Sequence, residues 1–249
     1  MRIHVVNPNT TTSMTAKIAA AARAVAAAGT TIVASQPEFG PASIEGYYDE
    51  AFAVPGLLAR IAEAETAGPD APVDAHVIAC FDDTGLDAAR ALARAPVIGI
   101  GEAAFHLASL IAGKFSVVTT LARSIPAIEH NLVRYGLAAR CARVRAAEVA
   151  VLSLEEPGSP ARERIEAEIE TAKRDDGAEA IVLGCAGMTD LAASLSDTHR
   201  LPVIDGVAAA VVLAEGLVRL KFTTSKLGGY APPLPKAYAG LFAPYAPKP

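Results

Sequence analysis

Three cysteines, Cys80, Cys141 and Cys185, lie far apart in a chain of 249 residues, and two of them share one local setting. Cys80 closes the apolar run "DAHVIAC" and Cys185 closes "EAIVLGC", so each thiol stands at the carboxyl end of a stretch that reads as a buried strand. In open parallel α/β sheets that end is where ligands bind. An odd number of cysteines at wide spacing fits neither a disulfide framework nor a C-x-x-C redox or zinc pattern, so each thiol acts singly. Two thiols flanking one bound molecule suit inversion at a carbon acid. One, as thiolate, takes the proton beside a carbonyl; the other, as thiol, returns a proton to the opposite face of the planar intermediate. The ordinary thiol pKa, near 8.5, lies close enough to neutrality for both duties.

The residues after each thiol, "FDDTGLDAAR" and "AGMTDLAASL", read as helix starts whose amide dipoles favour a thiolate. Asp82 and Asp83 oppose this at Cys80, so Cys80 is expected to rest more protonated than Cys185. One of the two carboxylates is also expected to cap the helix that follows. Cys141, in "LAARCARVRA", has no counterpart and reads as a packing or surface thiol.

Alternating apolar runs and Ala-rich amphipathic segments must position these groups, the pattern of βαβ units around parallel sheets. Strand "IHVVN" precedes a helix expected over 13–27 and ended by Gly29. Next come strand "TTIVAS", a loop over 36–50, a helix through "PGLLARIAEAE", strand "DAHVIAC", a helix after "FDDTG" and strand "APVIGI". The second half repeats the theme with "FSVVTT", "EAIVLGC" and "LPVIDG". Val5 and Val117 lie 112 positions apart, Cys80 and Cys185 105, and Pro96 and Pro202 106, so two similar α/β halves are expected.

Net charge is −5 with no basic stripe, which argues against a nucleic-acid partner. Neither a signal core nor a membrane-length apolar run occurs, and a cytoplasmic protein is expected. His4, His76, His106, His130 and His199 lack metal-ligand spacing. The Pro- and aromatic-rich tail from about Tyr230 is expected to pack along the surface or against another subunit of a homo-oligomer.

Taken together, "NPNT", "GPASIEG" with "YYDEA", "IACFDDTGLDAAR", "VVTT", "VLGCAGM" with "PVIDGV", and "TSK" resemble the aspartate/glutamate/hydantoin racemase family, in particular its hydantoin and allantoin branch. The resemblance implies two Rossmann-like domains about a pseudo-twofold axis, residues 1–98 with 206–249 and residues 99–205, with a cofactor-free site between them. It implies catalytic Cys80 and Cys185. It also implies substrate contacts from Asn7, from Pro41, Ser43 and Ile44, from Phe81 and Asp82, from Thr119 and Thr120, and from the backbone at Gly184 and Ala186.

None of the five core motifs "NPNT", "GPASIEG", "ACFDD", "VVTT" and "GCAGM" contains lysine or arginine, which suits a neutral ring better than a dicarboxylate. A hydantoin offers amide groups that Asn, Thr and backbone can pair, and a ring carbonyl that stabilises the carbanion. Arg123 and Lys226 lie near or outside the motifs and leave an acidic substrate open; the plainer reading of each is a solvated surface charge. Other readings are a maleate-type isomerase, a one-thiol decarboxylase, or a non-catalytic metabolite binder.

Overall fold

The computed structural model describes residues 1–67, 72–156 and 158–247. Short β-branched runs, buried on both faces, form two sheets of four parallel strands each. The first has the order β2-β1-β3-β4, from β1 (Arg2–Val6), β2 (Thr31–Ser35), β3 (Ala75–Ile78) and β4 (Val97–Gly99). The second, β6-β5-β7-β8, is built from β5 (Phe115–Thr119), β6 (Cys141–Ala146), β7 (Ala180–Leu183) and β8 (Val203–Ile204). The same order recurs, and so does the register: Val5 pairs with Val77 in one sheet and Val117 with Val182 in the other. The two similar α/β halves expected from the sequence are therefore present.

Helices cover the sheets through one apolar stripe each. In α1 (Thr12–Val25) the buried positions are Met14, Thr15, Ile18, Ala19 and Ala22, the spacing of one helical face. The chain then turns back at Gly29, whose φ of 85° favours glycine. The other helices are α2 (Tyr47–Glu65), α3 (Leu86–Leu92), α4 (Ile100–Ile111), α5 (Ile125–Arg134), α6 (Ala161–Thr171), α7 (Ala192–His199) and α8 (Gly206–Arg219). Asp205 starts α8 by accepting from the amides of Val207 (3.1 Å) and Ala208 (2.8 Å). The helix packs on α1, α4, β3 and β4, so the chain returns to the first sheet after β8.

An aromatic cluster joins the halves. Phe105 on α4 meets Phe81 edge-on at 5.3 Å and stacks on Phe115 at the start of β5 at 6.0 Å. Each such pair adds about 1 kcal/mol beyond the area it buries.

Two expectations need revision. Helix α2 begins at Tyr47, inside the expected loop, and tolerates Pro55 in its interior, where the missing amide costs one helical hydrogen bond. Strand β6 was not anticipated from "CARVRA", because its outward arginines hide the pattern; Arg145 is held by Asp176 at 2.6 and 2.7 Å. Ahead of the tail, Thr224 and Lys226 bond backbone carbonyls around α3, and residues 231–245 are exposed. Among the described residues no helix is long and apolar enough to cross a membrane.

Candidate active site

The carboxyl ends of β1, β3, β5 and β7 converge on one cleft. Its walls come from Asn7, Pro8 and Asn9 after β1, from 79–82 after β3, from Thr120 after β5 and from 184–186 after β7. Met14, Ile44, Ser124 and Val151 complete it. Parallel strands place loops there by construction. The cleft is narrow, with a cavity volume of about 30 Å³, room for about two or three water molecules. Binding of a ring-sized ligand therefore requires the walls to part.

Both half-buried thiols face this one cleft from opposite halves, each two residues beyond its strand, Ile78 to Cys80 and Leu183 to Cys185. Cys185 also caps the 3-10 turn Ala186–Leu191, its sulfur accepting from the Gly187 amide at 3.4 Å. The Cys80 sulfur accepts from the Thr84 hydroxyl at 3.3 Å.

The expected help from amide dipoles is present at Cys185, through the Gly187 amide, and absent at Cys80. Helix α3 starts only at Leu86, behind a turn through Asp83 and Gly85, so Cys80 has no adjacent helix terminus. Burial dominates at both sites. It pushes Cys80 well above the ordinary thiol value, Asp82 adding to the effect and the Thr84 hydroxyl and Asp82 amide opposing it. It pushes Cys185 up to about 12, opposed by the Gly187 amide. Both shifts run upward, and Asp82 opposes ionisation at both thiols.

The two aspartates separate in role. Asp83 caps α4 rather than α3, accepting from the amides of Gly101 (2.9 Å) and Glu102 (2.8 Å) and from the Tyr135 hydroxyl (2.8 Å). It thereby locks the turn after Cys80 onto both α4 and the residue that follows α5. Asp82 faces the cleft, and its carboxyl is raised to about 7 by burial first and then by Glu50 and Asp83.

Other expected contacts fall into two groups. Asn7, Ile44, Phe81, Asp82, Thr120, Gly184 and Ala186 line the cleft, whereas Pro41, Ser43 and Thr119 do not. Thr119 stands behind the wall, its hydroxyl donating to the Gly184 carbonyl at 2.9 Å. Pro41 accepts from the Thr10 amide at 3.0 Å and so ties the 40s loop to the loop after β1. Asn7 is held rigidly, its Nδ2 donating to Asn9 Oδ1 (2.8 Å) and Thr15 Oγ1 (3.0 Å). Asn9, Ser124 and Val151 were missed as lining residues; Asn9 had a signal inside "NPNT", whereas Val151 lies in a segment without motif character.

Asp82 is the sole charged side chain in the wall among the described residues. Lys226 is not a free surface charge: its Nζ donates to the Arg90 carbonyl at 2.6 Å and caps the end of α3. His4 and His76 meet at 3.1 Å on neighbouring strands, and burial lowers His4 to about 3. Among the described residues no set of three His, Cys, Asp or Glu could hold a metal ion.

The family model described as Asp/Glu/Hydantoin racemase matches residues 3–214. A hydantoin racemase from Rhizobium meliloti is 52% identical over 240 residues, 96% of this chain and 98% of that one. Among solved structures, an allantoin racemase from Klebsiella pneumoniae superposes with a TM-score of 0.95 at 48% identity, covering 100% of both chains. An allantoin racemase from Pseudomonas fluorescens gives 0.90 at 45%, covering 96% of this chain and 100% of that one. With paired parallel sheets, a cleft at their carboxyl ends and this likeness along nearly its full length, the chain belongs to the Asp/Glu/Hydantoin racemase family.

Proposed function

We propose that the protein is a cofactor-independent racemase of 5-substituted hydantoins, allantoin among them, with Cys80 and Cys185 as its two proton-transfer groups. The observation that carries the reading is that two thiols at equivalent strand ends open on one cleft. The relatives named hydantoin racemase and allantoin racemase support the substrate class. So does a wall free of lysine and arginine among the described residues, lined by amide and hydroxyl groups from Asn7, Asn9, Thr120 and Ser124.

In this mechanism the thiolate of one cysteine removes the proton from carbon 5, and the electron pair delocalises into the ring carbonyl as an enolate. The opposing thiol then protonates the other face, becoming the thiolate; the pair ends with its proton exchanged and the stereocentre inverted. Asn7, Thr120 and the backbone near Gly184 and Ala186 hold the ring's amide and carbonyl groups, while Ile44 and Phe81 exclude water. Asp82, protonated, donates to a ring oxygen on which charge develops.

A maleate-type isomerase would need partners for two carboxylates, and the wall offers one carboxyl group and no cation among the described residues. The test is solvent deuterium exchange at carbon 5 of each enantiomer, with optical rotation followed in parallel. Cys80→Ala and Cys185→Ala are each expected to abolish racemisation, with exchange surviving for one enantiomer in each variant. Full racemisation by either variant refutes the two-thiol mechanism.

A further inference from the structure

Lys17 belongs to α1 in the first half, yet its ammonium reaches the second. Its Nζ lies 3.4 Å from the Gly187 carbonyl, 3.0 Å from Glu155 Oε1 and 3.7 Å from Asp190 Oδ1. The contact is well shielded, the two side chains of the Lys17–Glu155 pair being 21% and 19% exposed. Glu155 Oε1 is buried and finds no aligned hydrogen-bond donor, so the Lys17 charge is what offsets its burial.

These partners bracket Cys185. Gly187, whose carbonyl Lys17 holds, gives its own amide to the Cys185 sulfur. Glu155 ends the 3-10 segment Val151–Glu155, whose first residue lines the cleft. That segment is tied to the first half at its other end too, where the Val151 amide donates to Glu45 Oε1 at 2.9 Å. Leu154, between the ties, packs over Gly187, 2.9 Å from where a β-carbon on that glycine would stand.

We propose that Lys17 is a positioning residue that couples closure of the cleft to the chemistry of Cys185. Delivered from the opposite half, its ammonium holds the 151–155 strap and the turn after the thiol, and sets a positive charge beside that thiol only when the halves are together. Opening the cleft to admit substrate withdraws the charge; closing over substrate restores it. The ionisable groups facing Cys185 are Asp82 and Glu45, which oppose ionisation, and Lys17, which favours it, with Glu155 and Asp190 partly neutralising the lysine. This inference rests on Cys185 being one of the two proton-transfer groups.

The experiment uses the full chain carrying Cys80→Ser and Cys141→Ser, so that Cys185 is the one thiol, titrated by its ultraviolet thiolate absorbance with and without Lys17→Met. Loss of the nearby cation is expected to move the Cys185 midpoint upward by about one pH unit. Lys17→Arg is expected to restore it. In the chain with all three cysteines, Lys17→Met is expected to lower kcat about tenfold at neutral pH with a smaller change in KM, since one unit is a factor of ten in thiolate. A folded Lys17→Met protein with an unmoved midpoint, or an arginine that fails to restore it, overturns the proposal. Should Lys17→Met not fold, Glu155→Gln decides: freeing the lysine of its counter-charge is expected to lower the midpoint, and an equal or higher one overturns the proposal. Racemisation that survives Cys185→Ala while the midpoint still follows Lys17 would count against the proposed function alone.

Discussion

Asp82→Asn is expected to stabilise the protein and disable it at once. In the folded chain the Asp82 carboxyl is raised from 3.8 to about 7, by burial first and by the charges of Glu50 and Asp83 after it. A raised carboxyl favours its neutral form, so its contribution to stability is whole below about pH 4 and is lost as pH rises through about 7. At about 1.4 kcal/mol per unit, a shift of this size amounts to roughly 4 kcal/mol near pH 8. Residual solvent access and relaxation bring the expected gain to about 1–3 kcal/mol, because the amide is never charged. Urea unfolding of both proteins near pH 4 and near pH 8 measures it: the gain should be present at the higher pH and nearly absent at the lower. Racemisation should fall at the same time, since Asp82 lines the cleft and an amide is a weaker proton donor to a developing oxyanion. Equal stability of the two proteins near both pH values, or a variant less stable near pH 8, would refute the assignment of Asp82 as a destabilising, cleft-facing acid.

Asp83→Ala should cost on the order of 3 kcal/mol, because it strands two α4 amides and the Tyr135 hydroxyl and leaves alanine at a φ of 51°; thermal unfolding reads the loss. Gly184→Ala should cost about 1–3 kcal/mol and lower turnover, since its β-carbon would stand 2.8 Å from the Thr119 β-carbon and displace the wall beside Cys185. Ile44→Ala and Val151→Ala, which widen the cleft from either side, should improve kcat/KM for hydantoins with bulkier 5-substituents relative to small ones. Stability should decline at alkaline pH, from the ordinary thiol range up to about 12, because the unfolded chain ionises its cysteines before the folded one does; Cys80→Ser with Cys185→Ser should flatten that slope in a urea series.

The halves and the thiol pair were legible because strands buried on both faces must be written as apolar runs, and repetition of those runs is visible without neighbours. Cys80 and Cys185 could be matched for the same reason: each follows its strand by two residues. Strand β6 escaped because it is an edge strand whose Arg145 is paired with Asp176 and Glu168 on other elements, partners that no local pattern announces. The start of α2 was obscured by Pro55, which marks a helix start more often than an interior. A cap from Asp82 or Asp83 was expected on the next helix; Asp83 is a cap, but its chain folds back at a positive φ and it reaches α4 instead of α3. Val151 and Lys17 owe their roles to elements brought together from opposite halves, and local spacing carries no trace of such meetings.

The raised thiols bear directly on how two chemically identical groups can hold opposite protonation states. A thiol with a pKa of about 12 is ionised in only about one molecule in ten thousand near pH 8. Burial thus disfavours ionisation of both sulfurs, and the proposed mechanism requires that a base be created as substrate is enclosed. A second thiolate is costlier than the first, because it would share a desolvated space with another anion. In the proposed mechanism the pair thus carries at most one negative charge during turnover, so whenever one sulfur is the base the other retains its proton and is the acid. Burial, which looks unfavourable for a thiolate taken alone, is what keeps the two roles distinct and exchangeable, and symmetric placement at two strand ends lets either enantiomer meet a base on its own side.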